Sequence, residues 1–226
     1  MSNLDGYLGC GKRPNFEIHY FTFNIRYSVA ILMEAGIILL AAGSSSRMGR
    51  SKQLLPIKGE QLLVHAVLVA LHSSIGPVIV VLGANENEHR KAISHFDVKM
   101  ITNQHWKSGM GSSLKAGLKH LLLLAPRSEA VLVMVCDQPL LTSDHLKKLV
   151  DTFAKAGKPI AASIYSATAG VPAIFHKSLF LEILEVADDY GAKKIIQQHT
   201  KDTATLDFPE GSMDLDTPDD YAKFIE

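Results

Sequence analysis

The sequence predicts an α/β fold: a three-layer arrangement in which helices cover both faces of a mostly parallel central sheet. From Gly36 onward, strand-like and helix-like segments alternate along the chain, and the strand-like segments are short, continuous apolar runs. Continuous apolar runs are typical of strands buried on both faces, and alternation with helices favours parallel pairing. With 226 residues, the chain is long enough to bury a sizeable core.

The elements follow one another in a regular order. Predicted strands are residues 36–41, 77–82, 98–102, 130–136, 159–163, 172–175 and 204–206. Predicted helices are residues 61–72, 86–95, 112–124, 142–155, 179–187, 191–199 and 218–225. The pattern Thr142-x-Asp144 indicates a capped helix start, and Pro218 suits the first position of the last helix. Because ligands bind beyond the carboxyl ends of parallel strands, the polar stretches after the strands are the candidate sites.

Residues 1–34 differ from the rest of the chain. They are rich in aromatic residues and show no clear period, so we expect an N-terminal extension to a single domain of residues 35–226. Residues 1–32 are expected to be dispensable, with Met33 as a natural start. Residues 27–44 are mostly apolar, but Glu34 near their middle would cost several kcal/mol in a bilayer. No membrane span and no secretory signal are therefore expected.

Composition narrows the function classes. Lys plus Arg and Asp plus Glu both number 23, so no global field attracts nucleic acid or an anionic membrane, and neither is expected as a partner. Cys10 and Cys136 have no metal-type spacing, and the ten histidines form no zinc-binding pattern. Two distant cysteines are typical of a reducing compartment, so a cytoplasmic location is expected.

The loop after the first strand is the strongest local signal. Between residues 43 and 59 it carries four cations and no acidic residue, together with glycines that permit close backbone approach; the cations are Arg47, Arg50, Lys52 and Lys58. Such a loop is suited to an anion. It is not a P-loop, because five residues separate Gly43 from Gly49 and Arg50-Ser51-Lys52 follows. It is not a dinucleotide fingerprint either, because Gly43-Ser44-Ser45 breaks the G-x-G-x-x-G pattern.

A second stretch carries candidate ligand-binding groups. Gly109-Met110-Gly111 precedes Ser112 and Ser113 at a helix start, which is either a polar-ligand site or a plain helix cap. We interpret Trp106 beside it as a packing residue.

Candidate metal ligands lie in two other stretches. Asp137 ends a buried strand and could hold Mg²⁺ or cap a turn. Asp214 and Asp216 alternate, so an extended backbone would point only one of them at a metal.

Together these motifs resemble the MobA-like nucleotidyltransferases. Residues 40–49 (LAAGSSSRMG), Lys52 and Leu54-Leu55-Pro56 are similar to that family's first motif, Asp137-Gln138-Pro139 to its second and Asp216-Thr217-Pro218 to its last. Residues 109–113 (GMGSS) and 170–172 (GVP), with Asn103, resemble the subgroup of molybdenum cofactor cytidylyltransferases. The resemblance implies a Rossmann-like nucleotidyltransferase fold and transfer of a nucleoside monophosphate to a phosphorylated acceptor.

The resemblance also implies roles for particular residues. Arg47, Lys52 and Asp137 form the expected catalytic set, with Arg47 and Lys52 holding the triphosphate. Asp137 and Asp216 would bind Mg²⁺, or Mn²⁺ in its place, with Asp214 as the alternative to Asp216. The expected nucleotide-binding set, which Arg47 and Lys52 complete, is Leu40, Ala41, Ala42, Gly43, Gly83, Asn103, Gly111, Ser112 and Ser113.

The expected substrates are small molecules: an NTP and the phosphate of molybdopterin. Guanylyl-transferring relatives usually read LAGG where this chain has Leu40-Ala41-Ala42-Gly43, so the resemblance favours CTP over GTP. Three alternatives stay open: a GTP-using guanylyltransferase, a cytidylyltransferase for a sugar or isoprenoid phosphate, and an accessory protein that serves a molybdenum hydroxylase. A molybdenum hydroxylase is also the one protein partner that the resemblance suggests.

Overall fold

The structure is a computed structural model that describes residues 33–225, so the segment predicted to be dispensable, residues 1–32, lies outside the described residues. The strands are β1 (Ala35–Ala41), β2 (Pro56–Ile57), β3 (Glu60–Gln61), β4 (Val78–Leu82), β5 (Lys99–Thr102), β6 (Ala130–Val135), β7 (Ile160–Tyr165), β8 (Thr168–His176) and β9 (Thr203–Asp207). The helices are α1 (Leu62–Ser73), α2 (Glu86–Ala92), α3 (Met110–Leu124), α4 (Ser143–Ala156), α5 (Phe180–Glu185), α6 (Ala192–Gln198) and α7 (Pro218–Ile225).

Seven of these strands form one sheet in the order β5-β4-β1-β6-β8-β7-β9. Strand β1 pairs in parallel with β4 on one side and β6 on the other. Strand β8 runs antiparallel to both β6 and β7, whereas β9 is again parallel to β7. The predicted three-layer α/β fold with a mostly parallel sheet is confirmed.

Side chains of the central strands alternate between two apolar layers. On β1, Ile37 and Leu39 face one layer, which they share with residues of α1 and α4. Ile38 and Leu40 face the other, which they share with residues of α3, α5 and α6. Because all seven residues of β1 are buried, this strand anchors both layers and fixes where its carboxyl end lies.

The antiparallel strand β8 departs from simple alternation of strands and helices. Ser166 and Ala167 join β7 to β8 as a two-residue turn, and their φ angles are 49° and 56°. Left-handed conformations at both positions are typical of a tight hairpin, which usually shows as Asn-Gly or Asp-Gly. Ser-Ala gives no such signal, so the sequence predicted only the core of β8, residues 172–175.

Helix boundaries agree with prediction within a few residues. Helix α3 begins two residues earlier than expected, at Met110, and α2 ends three residues earlier, at Ala92. The predicted cap of α4 is present, since the hydroxyl of Thr142 accepts a hydrogen bond from the backbone N–H of His145 at 3.2 Å. Among residues 33–225, no helix is both long and apolar enough to cross a bilayer.

Candidate functional site

A cleft of about 400 Å³ opens at the carboxyl ends of β1 and β6. These strands are neighbours, with Leu40 paired to Val135, so the chain segments that leave them meet at one place. The backbone N–H of Leu215 donates to the Asp137 carbonyl at 3.2 Å, which brings the segment before α7 to the same edge. The cleft is lined by Leu40, Ala41, Ala42, Gly43, Ser44, Arg47, Lys52, Gln53, Trp106, Lys107, Gly109, Met110, Ser113, Val135, Cys136, Asp137 and Asp216.

Two cations and two carboxylates pair inside this cleft. The Nζ of Lys52 donates to Asp137 Oδ2 and to Asp216 Oδ1, at 2.7 Å each. A guanidinium nitrogen of Arg47 donates to the other oxygen of Asp216, also at 2.7 Å. Lys52 is only 11% exposed, whereas Arg47 is 71% exposed. Residues far apart in sequence therefore form one compact group whose formal charges cancel.

The pKa values follow from this pairing. Burial works to lower the pKa of Lys52, but the carboxylates of Asp137 and Asp216 outweigh it and raise that pKa, so the ammonium stays charged. Partial burial opposes ionisation of Asp216, yet its hydrogen bond from Lys52 and the charge of Arg47 lower its pKa. Both partners are thus held in their charged forms.

Asp214 lies outside this ion-pair group. Partial desolvation, together with repulsion from Asp137 and Asp216, raises the pKa of Asp214 to about 6, although the residue keeps an exposed surface. The ion pairs with Lys52 and Arg47 go to Asp216, and Asp216 rather than Asp214 lines the cleft.

The loop that carries Arg47 and Lys52 is held by Gln53, which is 1% exposed. Its side-chain nitrogen donates to the Gly43 carbonyl at 2.8 Å, and its side-chain oxygen accepts from the hydroxyls of Ser45 and Ser51 at 2.9 Å each. Ser45 and Gly49 adopt left-handed conformations that fold the loop back on itself. This internal bonding explains how a loop rich in glycine and serine can hold two cations in fixed places.

The opposite wall of the cleft comes from the start of α3. Ser113 lines the cleft, and its hydroxyl accepts from the side-chain nitrogen of Asn103 at 3.0 Å. The same nitrogen donates to Ser112 at 2.8 Å, and both Asn103 and Ser112 are buried. Asn103 thus supports the cleft wall through Ser113, whereas Ser112 does not line the cleft and its hydroxyl donates to backbone carbonyls of His105 and Gly109.

Gly111 has a packing role at the start of α3. Its backbone N–H donates to the Asp188 carbonyl at 2.9 Å, and an added Cβ would meet the backbone carbonyls of Ala187 and Tyr190. This N–H is therefore already bonded within the protein.

Gly83 supports the cleft from beneath. A Cβ on this residue would lie 2.6 Å from the Ala42 carbonyl oxygen and 2.7 Å from the Cβ of Trp106. Trp106 therefore packs on Gly83, which agrees with its interpretation as a packing residue, but it also forms part of the cleft wall. Sequence reasoning did not assign Trp106 to the site.

Other cleft-lining residues were also not assigned to the site from the sequence, among them Gln53 and Lys107. A polar Gln53 directly before Leu54-Leu55-Pro56 was a usable signal, because an uncharged amide inside a cationic loop is suited to bonding the loop backbone. Lys107 lies 5.5 Å from the Trp106 ring centroid. Lys107 reaches the cleft because residues 106–108 form a short helical turn, and the local sequence does not predict that turn.

The donor chemistry fits a hard divalent cation shared with a substrate. Among residues 33–225 no group of three or more His, Cys, Asp or Glu residues could hold a metal ion by itself. Mg²⁺ commonly uses one or two carboxylates plus substrate phosphates, in place of an all-protein cage. Asp137 and Asp216, both bound to one ammonium group at 2.7 Å, supply two such carboxylates.

Comparison with known proteins now identifies the family. The family model for the MobA-like NTP transferase domain matches residues 37–203. The chain belongs to this family. It is 29% identical over 203 residues to the purine catabolism protein PucB of Bacillus subtilis, covering 81% of this chain and 92% of that protein. It is 24% identical to the molybdenum cofactor cytidylyltransferase of Escherichia coli, again covering 81% and 92%.

A solved structure agrees with the MobA-like fold. Rv0371c of Mycobacterium tuberculosis is 25% identical and superposes with a TM-score of 0.73, covering 85% of this chain and 97% of that one. The Rossmann-like nucleotidyltransferase fold is therefore confirmed, and all cleft-lining residues except Asp216 lie within the part of the chain that carries the family match. Arg47, Lys52, Asp137 and Ser113 all fall between residues 37 and 203, whereas Asp216 comes from the chain beyond it.

Proposed function

We propose that this protein transfers CMP from CTP to the phosphate of molybdopterin, with release of pyrophosphate. The observation that carries the proposal is the convergence of Arg47, Lys52, Asp137 and Asp216 on one cleft at the carboxyl edge of the sheet. Two cations and two carboxylates in one cleft suit transfer between phosphates, in which positioning and charge neutralisation do most of the work.

The proposed reaction needs no covalent enzyme intermediate. An oxygen of the acceptor phosphate forms a bond to the α-phosphorus of CTP, and the bond from that phosphorus to the bridging oxygen breaks, so that pyrophosphate leaves with its electron pair. Lys52 and Arg47 bind the triphosphate and neutralise the charge that grows on the leaving group. To do so they exchange some of their present contacts with Asp137 and Asp216 for contacts with phosphate oxygens.

Asp137 and Asp216 would hold Mg²⁺, with Mn²⁺ as an acceptable substitute. The bound ion would neutralise phosphate charge and polarise the phosphoryl oxygens. Lys52 already lies between these carboxylates, so a site for positive charge exists there before any metal binds. Ser113, supported by Asn103, would orient the nucleotide against the wall of α3.

The choice of CTP and of molybdopterin rests on similarity. The E. coli relative is a molybdenum cofactor cytidylyltransferase, and the methyl group of Ala42 occupies a cleft-lining position at which guanylyl-transferring relatives usually have glycine. A molybdenum hydroxylase would be the natural recipient of the product, and hence the expected protein partner.

Pyrophosphate release tests the proposal directly. Purified protein is incubated with Mg²⁺, molybdopterin and each of CTP, GTP and ATP, and pyrophosphate is measured over time. We expect turnover with CTP that requires both the metal and molybdopterin. Preference for GTP would indicate a guanylyltransferase. Turnover only when a sugar or isoprenoid phosphate replaces molybdopterin would overturn the choice of molybdopterin as the acceptor. Tight nucleotide binding without turnover would favour the accessory protein.

A further inference from the structure

A buried histidine outside the cleft is bonded to the loop that holds the two catalytic cations. His89 on α2 is completely buried, and its Nε2 lies 2.7 Å from the hydroxyl oxygen of Ser51. That hydroxyl is 2.9 Å from Gln53 Oε1, which also accepts from Ser45. The backbone N–H of Lys52 donates to Ser45 Oγ at 3.1 Å. One continuous hydrogen-bonded chain therefore runs from α2 to the backbone of Lys52.

The protons in this chain can be placed from geometry. The Gly43 carbonyl accepts from Gln53 Nε2, so Gln53 Oε1 must face the two serines. Both serine hydroxyls then donate to that oxygen, and Ser51 has no proton left for the imidazole. The Nε2 of His89 must therefore carry a proton and donate it to Ser51. In this arrangement every hydrogen bond of the chain has one donor and one acceptor.

The other ring nitrogen shows why the imidazole is neutral. Nδ1 of His89 is buried and has no hydrogen-bond partner among residues 33–225. A second proton there would create a buried, unpaired N–H on a charged ring, which costs free energy. Burial accordingly lowers the pKa of His89. The neutral ring is a fixed donor to Ser51.

We propose that His89 is a positioning residue for the nucleotide-binding loop, acting through Ser51 and Gln53 to hold Lys52 against Asp137 and Asp216. A rigid helix thereby fixes a loop that otherwise contains small, flexible residues. The loop must release Lys52 from its carboxylates toward a triphosphate without losing its backbone path, and the chain from His89 restrains the backbone while leaving the ammonium free to exchange partners. The kinetic part of this inference rests on the proposed function, whereas the structural part does not.

Three variants and one matched control test the inference. His89→Leu removes the donor, Ser51→Ala removes the intermediate, and His89→Gln keeps a side-chain N–H that can reach Ser51. His145→Leu is the control, because His145 is also a buried histidine bonded to a serine, with its Nε2 2.8 Å from Ser163 Oγ, but Ser163 lies on β7 outside the loop. The control shows what the loss of any buried histidine–serine bond does to the protein.

Hydrogen–deuterium exchange of peptides covering residues 43–55 is the first measurement, and it requires no substrate. Exchange in His89→Leu and Ser51→Ala should be roughly tenfold faster than in the wild type, while His89→Gln and His145→Leu keep the wild-type rate there. Unchanged exchange in Ser51→Ala overturns the inference even if His89→Leu does not fold.

The second measurement separates kcat from KM for the nucleotide. Because a misplaced cation weakens transition-state contacts, kcat should fall by about 10-fold to 100-fold in His89→Leu and recover in His89→Gln. Equal losses of kcat in His89→Leu and His145→Leu would show a general effect of stability and overturn the positioning role. Failure of the wild type to use any NTP would instead refute the proposed function, and the exchange data would still decide the role of His89.

Discussion

Replacing Lys52 with alanine perturbs the centre of the site most directly. Its ammonium group is bonded to Asp137 and Asp216 at 2.7 Å each, and only 11% of its side chain is exposed. Lys52→Ala therefore removes both ion pairs and leaves two carboxylates, 24% and 32% exposed, without their common partner. Arg47 still pairs with Asp216, so that carboxylate keeps one cation.

The effects on stability and on catalysis should differ in size. Breaking a fully buried ion pair costs about 3–5 kcal/mol. Water can reach these carboxylates, which lowers the expected loss of unfolding free energy to about 1–2 kcal/mol, or about 2–8 °C in Tm. Losing a charged contact to a transition state costs roughly 10²–10³ in kcat. Lys52→Ala should thus stay folded at 25 °C while losing nearly all turnover.

Pyrophosphate release and thermal unfolding of the same preparation provide the assay. Lys177→Ala is the matched control, because Lys177 forms a 2.9 Å ion pair with Glu129 just before β6, at the opposite end of the sheet from the cleft. The control should keep kcat within about twofold, since exposed ion pairs contribute little. Near-normal turnover in folded Lys52→Ala would refute the assignment of Lys52 as a triphosphate ligand.

Three other expectations concern packing, pH and the chain start. Gly83→Ala places a methyl group against the Ala42 carbonyl and should lower the free energy of unfolding, measured in urea, by about 1–3 kcal/mol. Gly43→Ala has open space around the added Cβ and should change it by less than about 0.5 kcal/mol, so equal effects of the two variants would contradict this expectation. Burial lowers the pKa of His145, so the unfolded chain binds more protons than the folded protein between that lowered pKa and about 6.5, and stability should fall as pH drops through this range; His145→Gln should show a shallower decline in Tm, and an identical pH profile would refute the assignment. Expression from Met33 should give soluble protein with wild-type turnover, because the first strand begins at Ala35 and the Glu34 carbonyl accepts from the N–H groups of Glu129 and Ala130; an insoluble or inactive product would show that residues 1–32 are needed.

Much of the fold could be predicted because the signals were local. The buried strands of the sheet are short apolar runs, and burial on both faces leaves little room for another interpretation of such runs. The hairpin of β7 and β8 could not be predicted, because Ser166 and Ala167 adopt left-handed conformations that are set by the strands they join. The two-residue strands β2 and β3 are equally invisible, since two residues show no period.

The candidate site divides in a similar way. Its charged residues were predictable, because cations in a glycine-rich loop and an aspartate after a buried strand are chemical signals at known places. Their pairing was not, since Arg47 and Asp216 are 169 positions apart and only the packing of the last segment against Asp137 brings them within 2.7 Å. The same holds for His89, which sequence reasoning treats as one helical residue among several.

The amino-acid sequence thus specifies the layers of this protein and the kinds of side chain in its cleft. Both can be predicted locally, because the spacing of apolar residues and the type of each residue depend only on neighbouring positions. The three-dimensional structure assigns the partners: Lys52 to both carboxylates, Gln53 to the loop backbone and His89 to Ser51. Partner choice depends on distances between groups that are remote along the chain. Such distances are fixed only once the sheet has formed and the loops lie together at its carboxyl edge.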